Sequence, residues 1–283
     1  MAANQQGPEE ADVKVAVTWI GQYFRSMKRV LALPLAICSV VVARAQTPIN
    51  VNVGLRVGAN AATAKYMGLG RLYNTGYKIG GEAGATALAT RGHLVLQASI
   101  LYARKGFLID DEYHLPGNLG ISRGVVRQTH VLNYLVVPIN FAYALRGDGT
   151  GIQLFAGGYI GRLLHGTAEY DDLYEVQDPG NPASPTTFTY QQKVDIRPSN
   201  EYPLPFPVMA NANRHGYSRP FDAGIQAGLG YRHKQIYIQA GYSRGLTDLG
   251  PTYPSVSGSR LIGPSYYHRA AYLSFSYLLD LSK

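Results

Sequence analysis

Three features of the amino-acid sequence predict an all-β fold, an eight-stranded antiparallel up-and-down transmembrane β-barrel. Apolar and polar residues alternate with a period of two in eight segments of the chain. The connections between these segments are short and long in turn, and an export signal precedes the first segment. An even number of strands, with short turns at one end and long loops at the other, is typical of outer-membrane barrels.

The export signal occupies residues 27–45, inside the chain. Its sequence, MKRVLALPLAICSVVVARA, has a basic start, an apolar run and a small-x-small cleavage motif. The apolar run is shorter than the ~20 residues that a membrane-spanning helix needs. We therefore expect a signal peptide that is cleaved after Ala45. Residues 1–26 would be an N-terminal extension upstream of the start that the cell uses, and residues 46–283 would form one outer-membrane β-barrel.

The composition agrees with an exported β-protein. Glycine (32 residues) and tyrosine (22 residues) are abundant, and the one cysteine, Cys38, lies in the signal, so we expect no disulfide after cleavage. The formal net charge is +8, but the basic residues are scattered, so we expect no nucleic-acid partner. The expected partners are outer-membrane lipid and the barrel insertion machinery. No familiar metal-ligand spacing or phosphate-binding loop occurs, so no cofactor is expected.

The eight strands can be placed from the alternation. They are expected at residues 49–60, 76–89, 93–106, 128–145, 151–165, 217–231, 235–247 and 267–281. One face of each strand is aliphatic and aromatic, and the other carries glycine, glutamine, serine and a few charges. In a membrane the apolar face meets lipid, and ring closure satisfies the backbone. Ile225, Ile238 and Phe275 are thus expected outside. A soluble barrel of the lipocalin kind, the alternative, would need an apolar interior.

The connection between the fifth and sixth strands, residues 166–216, is the longest. It is rich in proline and asparagine, which favour extended, turn-rich backbone. Long loops usually carry function or are disordered, and both alternatives stay open here. We expect this loop to be extracellular and both chain ends to be periplasmic. Its tyrosines are candidate anchors for an extracellular or secretion-system protein partner: Tyr170, Tyr174, Tyr190 and Tyr202.

Four charged residues fall on the lumen-facing side of the predicted strands: Arg56, Lys78, Glu82 and Asp222. Charged groups away from bulk water must pair or become neutral. We expect Arg56 to pair with Glu82 across the first hairpin, and Asp222 to pair with Lys78 or Arg56 across the lumen. Because the interior of an eight-stranded barrel is filled by side chains, this network predicts a plugged lumen. A narrow ion-conducting channel is the alternative.

Two patterns could indicate catalysis. Residues 241–245 fit the G-x-S-x-G pattern of an esterase, but that motif needs a helix directly after the strand, and none is predicted. Ser243 is therefore expected to be a small inward residue. Four histidines map near the outer rim, close in sequence to acidic residues: His130, His165, His215 and His268. Proton transfer would require these groups within about 3 Å of one another. We predict no enzyme activity and keep a rim-site hydrolase or lipid-modifying enzyme as the alternative.

Five motifs, in order along the chain, resemble the PorT-like outer-membrane β-barrel family. They are GLRVGAN, YLVVPINFAY, FAGGYIG, FDAGIQAGLGY and YIQAGYSRGLTDL, and they are spread over residues 54–249, which make up most of the predicted mature chain. The resemblance implies an eight-stranded barrel in the outer membrane of a Gram-negative bacterium. Some relatives are linked to protein secretion across that membrane. The chain departs from the usual outer-membrane pattern because it lacks a terminal aromatic residue, so Phe275 and Tyr277 are the expected insertion signal.

Pro138 stands inside YLVVPINFAY, although proline normally avoids strand interiors. The family pattern implies a β-bulge at this residue. The alternative is that the fourth strand consists of two separate segments.

Overall fold

The computed structural model describes residues 49–68, 70–114, 121–178, 181–202, 215–253 and 263–281. The predicted extension (residues 1–26) and signal peptide (residues 27–45) lie outside these ranges. Within them, no helix is both long and apolar enough to cross a membrane.

The described residues form eleven β-strands. Their bounds are β1 (Asn50–Gly68), β2 (Arg71–Leu72), β3 (Thr75–Arg91), β4 (Leu94–His114), β5 (Ile121–Ala144), β6 (Gly151–Asp178), β7 (Asn181–Pro198), β8 (His215–Ser218), β9 (Phe221–His233), β10 (Ile236–Gly245) and β11 (Ser265–Asp280).

Eight of these strands close into a barrel. Each pairs antiparallel with two neighbours, in the ring order β1-β3-β4-β5-β6-β9-β10-β11 and back to β1. Ring closure gives every strand a hydrogen-bonding partner on both sides, which a strand in lipid requires. The predicted eight-stranded antiparallel barrel is confirmed, and each predicted strand corresponds to one strand of the ring.

Side chains alternate between the outside and the lumen as predicted. On β9, Ile225 is 55% exposed, whereas the next residue, Gln226, is 9% exposed. Ile238 and Phe275 are likewise exposed, on β10 and β11. Exposed aliphatic and aromatic side chains thus form an apolar belt around the ring, as expected for a barrel that meets hydrocarbon.

Glycines on the inner face allow neighbouring strands to approach closely. A Cβ atom at Gly84 of β3 would collide with the backbone carbonyl oxygen of Ile100 on β4. A Cβ atom at Gly54 of β1 would collide in the same way with Tyr277 on β11. The abundance of inward glycine is therefore a packing requirement of this narrow barrel.

Pro138 lies within β5, which runs unbroken through it. The register between β4 and β5 is the same before and after Pro138, with Ala98 opposite Ile139 and Leu101 opposite Val136. Only the two residue pairs between these positions are not formed. On its other side Pro138 pairs normally with β6. The predicted bulge is wrong because the register does not shift, and the alternative of two segments is wrong because β5 is continuous. The N–H group that proline lacks interrupts the pairing only toward β4.

The longest predicted loop, residues 166–216, is in large part strand. β6 continues far beyond the ring, and β7 runs back antiparallel beside this extension. The pairing begins with Gly166 opposite Ile196 and ends with Asp178 opposite Asn181. β8 then adds in parallel to the last residues of β7. The prolines of β7 stand near its ends, and between them residues 186–196 are rich in β-forming threonine, aromatic and branched residues. The local β-propensity explains why this segment is a hairpin.

Candidate functional site

Arg56 and Glu82 meet inside the barrel. Two guanidinium nitrogens of Arg56, Nη2 and Nε, donate to Glu82 Oε1 at 2.7 and 3.1 Å. Nη1 donates to Gln239 Oε1 at 3.1 Å, and the guanidinium lies 5.5 Å from the ring centre of Tyr272. With Arg56 only 2% exposed, these contacts supply the charge and hydrogen bonds that a buried cation needs.

Amide side chains extend this network across the lumen. Gln97 of β4 and Gln239 of β10 donate to each other at 2.8 Å. Asn140 of β5 donates to Gln97 at 3.4 Å and accepts from Gln226 of β9 at 2.7 Å. Because these four residues come from four strands around the ring, the chain of hydrogen bonds bridges the interior from wall to wall.

Asp222 pairs with Lys105, not with Lys78 or Arg56, so that part of the sequence prediction is wrong. Its Oδ2 lies 3.4 Å from Lys105 Nζ and accepts from the Tyr159 hydroxyl at 3.2 Å. Lys78 is partly buried on β3 and forms no ion pair with a described residue. Strand tilt and ring closure decide which residue faces Asp222 across the lumen, and alternation along one strand does not contain that information.

Lys105 is a lumen residue that sequence reasoning missed, and Arg232 of β9, which donates to Asn52 Oδ1 at 2.7 Å, is another. Lys105 has the inward parity of Gln97 and Ser99 on β4, so the alternation could have revealed it. A cavity of about 30 Å³ separates the Lys105 and Arg56 groups. That space suffices for one or two water molecules, since each needs about 10–15 Å³. At this level the lumen is filled by side chains.

Beyond the apolar belt, β4, β5 and β6 continue as a projecting sheet. They contain 21, 24 and 28 residues, against 13 in β9 and 10 in β10. On the outward face Arg123 of β5 bridges Glu112 of β4 at 2.6 Å and Glu175 of β6 at 3.0 Å. Lys193 of β7 pairs with Glu169 of β6 at 2.6 Å. Charged outward faces belong in water, so the projecting sheet extends out of the membrane.

The inner face of the projecting sheet borders a cavity of about 350 Å³. Tyrosines supply much of its lining: Tyr66, Tyr73, Tyr113, Tyr174 and Tyr253. Beside it, the buried Asp172 accepts hydrogen bonds from Gln128 at 2.9 Å and Tyr174 at 3.1 Å. Burial raises the pKa of Asp172 above its ordinary value, while its hydrogen-bond donors act in the opposite direction. This cavity has the volume and the aromatic lining of a small-molecule pocket.

The structure distributes the four tyrosines predicted as anchors over different environments. Tyr170 packs inside, with its ring 5.9 Å from His130 and 6.0 Å from Tyr190. Tyr174 lines the cavity, and Tyr202 stacks on Tyr253 at 4.9 Å. Tyr190 on β7 is 45% exposed. Of the four, Tyr190 is the residue best placed to meet a partner.

The predicted rim histidines do not assemble a proton-transfer site in the described part of the chain. His130 stacks on Phe107 at 4.5 Å, and His268 packs edge-on against the same ring. No described histidine is hydrogen-bonded to both a carboxylate and a hydroxyl group. Ser243 donates to the Ala270 carbonyl oxygen at 3.4 Å, and no helix follows β10 in the described ranges. The G-x-S-x-G pattern is thus part of a ring strand.

Among the described residues, β7 has an open edge along much of its length. One side pairs with β6, while the other pairs with β8 only over residues 195–198. Along residues 186–194 no described strand pairs with that second side, and the side chains of residues 186–191 are exposed. An edge of this kind presents unpaired N–H and C=O groups to the surroundings.

Comparison with known proteins identifies the family. Residues 44–250 match the outer membrane protein beta-barrel domain family. The chain belongs to this family. The match covers seven of the eight ring strands, and the closed ring of the structure is the architecture that the family name describes. The more specific PorT-like resemblance stays a prediction.

Solved structures similar to this family member include three outer-membrane proteins. Ail of Yersinia pestis, solved in complex with the heparin analogue sucrose octasulfate, is 10% identical with a TM-score of 0.36, over 81% of this chain and 99% of Ail. Neisserial surface protein A is 12% identical with a TM-score of 0.34, over 79% and 96%. OprG of Pseudomonas aeruginosa is 8% identical with a TM-score of 0.29, over 82% and 95%. No curated protein matches the chain.

Proposed function

We propose that this protein is a non-conducting outer-membrane barrel that binds a protein partner through the open edge of β7. The observation that carries the proposal is the edge itself, which the continuation of β4, β5 and β6 holds beyond the apolar belt. An extended segment of a partner can add to such an edge. Main-chain hydrogen bonds then provide affinity, and alternate side chains provide specificity.

The sequence of the edge supports this role. Residues 186–194 read TTFTYQQKV, which contains β-forming residues and neither glycine nor proline. Proteins usually protect an edge with lysine, proline or a bulge. Here the one charge is Lys193, which is engaged by Glu169. Phe188 and Tyr190, both exposed on this strand, could anchor a partner strand.

The sealed lumen supports an interaction role over transport. The bonds from Gln97 to Gln239 and from Lys105 to Asp222 occupy the interior at two levels. Under this proposal the signal peptide is cleaved after Ala45 and the projecting sheet is extracellular. If the PorT-like resemblance holds, the partner is a protein of a secretion system.

Photo-crosslinking in cells tests the proposal. A photoreactive amino acid at Thr187 or Thr189 should give a discrete higher-mass adduct. The same group at Leu229, on the apolar belt, should give none. Adjacent residues in an antiparallel strand point their N–H groups to opposite sides. We therefore make both Thr186→Pro and Thr187→Pro. One of them removes an N–H group that bonds to β6, and the other, the edge-donor variant, removes only an N–H group on the open edge.

We expect the edge-donor variant to lose the adduct while the barrel keeps the heat-modifiable gel mobility of a folded protein. An adduct of the same mass from Leu229, or one that survives both proline variants, would show that the β7 edge is not the binding surface.

A further inference from the structure

Three basic residues come together on the outer surface near the end of the apolar belt. Arg244 of β10 lies directly opposite Arg269 of β11. Arg269 is also opposite Thr63 of β1, so Lys65, two residues further along β1, is its diagonal neighbour. Directly opposite Cβ atoms are about 4.5–5.5 Å apart and diagonal ones about 7–8 Å. We call Lys65, Arg244 and Arg269 the basic patch.

The basic patch faces away from the lumen. Arg244 has the outward parity of Ile238 and Tyr242, and Arg269 has that of Leu273. Arg244 and Lys65 are exposed and Arg269 is half-buried. Tyr242, which precedes Arg244 on the outward face, is 45% exposed. Tyrosine at the end of an apolar belt marks the level of the lipid head groups.

The charges of the basic patch are not compensated within the described protein. Like charges directly opposite each other on neighbouring strands destabilise a sheet. None of the three residues forms an ion pair with a described carboxylate, whereas Arg123 and Lys193 of the projecting sheet do. The register therefore places two arginine residues directly opposite each other on neighbouring strands, at a point where no described carboxylate pairs with either of them.

We propose that the basic patch binds a phosphate group carried by an anionic lipid of the surrounding leaflet. Two guanidinium forks and one ammonium group offer the donors that phosphate oxygens accept, and the phosphate charge removes the repulsion between Arg244 and Arg269. The phosphate belongs to a lipid because the basic patch continues the lipid-facing surface through Tyr242 and Leu273. Acyl chains beside the belt would hold the head group at this level.

A lipid-binding measurement on the purified full chain tests this site. Wild-type protein and the double variant Arg244→Gln/Arg269→Gln are compared for retention of lipid A in detergent by native mass spectrometry. The double variant should bind about tenfold or more weakly, because several charge-assisted hydrogen bonds are lost. Arg162→Gln is the matched control, since that outward arginine lies opposite Leu135 and Phe221. It should bind like the wild type.

Two further arms distinguish the sources of phosphate. Phosphatidylcholine, which carries no net charge, should compete poorly, and inorganic phosphate should not displace lipid A at equal concentration. Displacement by inorganic phosphate would overturn the assignment to a lipid. Equal binding by wild type and double variant, or equal loss in Arg162→Gln, would overturn the site.

Stability gives a readout with opposite signs. In uncharged detergent, Arg269→Gln should raise the midpoint of thermal unfolding, because it relieves the repulsion with Arg244. In the presence of lipid A the same substitution should lower the midpoint, because a phosphate ligand is lost. A change of the same sign in both conditions would contradict the proposal.

Discussion

At the scale of the residue, the face of the strand on which a residue lies determines whether its side chain is apolar or polar. Ile225 and Gln226 are neighbours on β9, yet one lies on the apolar belt and the other donates to Asn140 inside the barrel. Period-two alternation therefore predicts facing residue by residue, and it did so for Ile225, Ile238 and Phe275. It could not predict the partner of Asp222, because Lys105 is 117 positions away along the chain.

A charge on the wrong side should be costly. Leu229→Arg, on the same outward face of β9 as Ile225 but four residues away from the level of Arg244, places a cation in hydrocarbon. It should lower the free energy of unfolding by about 2–4 kcal/mol near the midplane. The measurement is the folded fraction, read by gel mobility, after equilibration in urea with lipid vesicles. Gln226→Glu is the control, because its carboxylate would share a cavity with Lys105 and Arg56. Equal losses in the two variants would contradict the facing.

At the scale of the element, β3 and β4 show how close packing selects glycine. The inward Gly84 has no room for a Cβ atom, whereas at the outward Gly81 the nearest atom to a Cβ would be 3.7 Å away. Alternation in the sequence placed Gly81 and Gly84 on the same strand. It could not show that position 84 requires glycine whereas position 81 has room for a side chain. That difference arises from the approach of the neighbouring strand.

Adding one methyl group at each glycine tests this requirement. Gly84→Ala must shift the backbone of β3 away from β4, and such overpacking costs about 1–3 kcal/mol. Gly81→Ala should leave stability nearly unchanged. Urea midpoints of the two variants in the same lipid provide the comparison, and a larger loss for Gly81→Ala would show that the contact with Ile100 is not limiting.

At the scale of the whole molecule, ring closure connects inward polar residues across the lumen, and we propose that this network acts as a seal. Gln97 and Gln239 are on strands that are not neighbours in the ring, and only closure brings their amides to 2.8 Å. If the lumen is plugged, as predicted, this seal stays closed. If the protein is a narrow channel, the seal must open to let ions pass.

Conductance measures the seal directly. Wild-type protein in a planar bilayer should give no discrete current steps, since the amides fill the interior. The double variant Gln97→Ser/Gln239→Ser shortens both bridging side chains and should admit small currents. Regular steps from the wild type would instead support the channel.

The amino-acid sequence is sufficient to predict the class of fold, the eight strands and the side of each strand that meets lipid. These properties follow from alternation, which acts locally, because every residue of a membrane strand faces either hydrocarbon or lumen. The three-dimensional arrangement was needed to find the Lys105–Asp222 pair, the bridge from Gln97 to Gln239, and the meeting of Arg244 with Arg269. Each of these depends on strand register and ring closure, which bring together residues whose separation along the chain carries no signal.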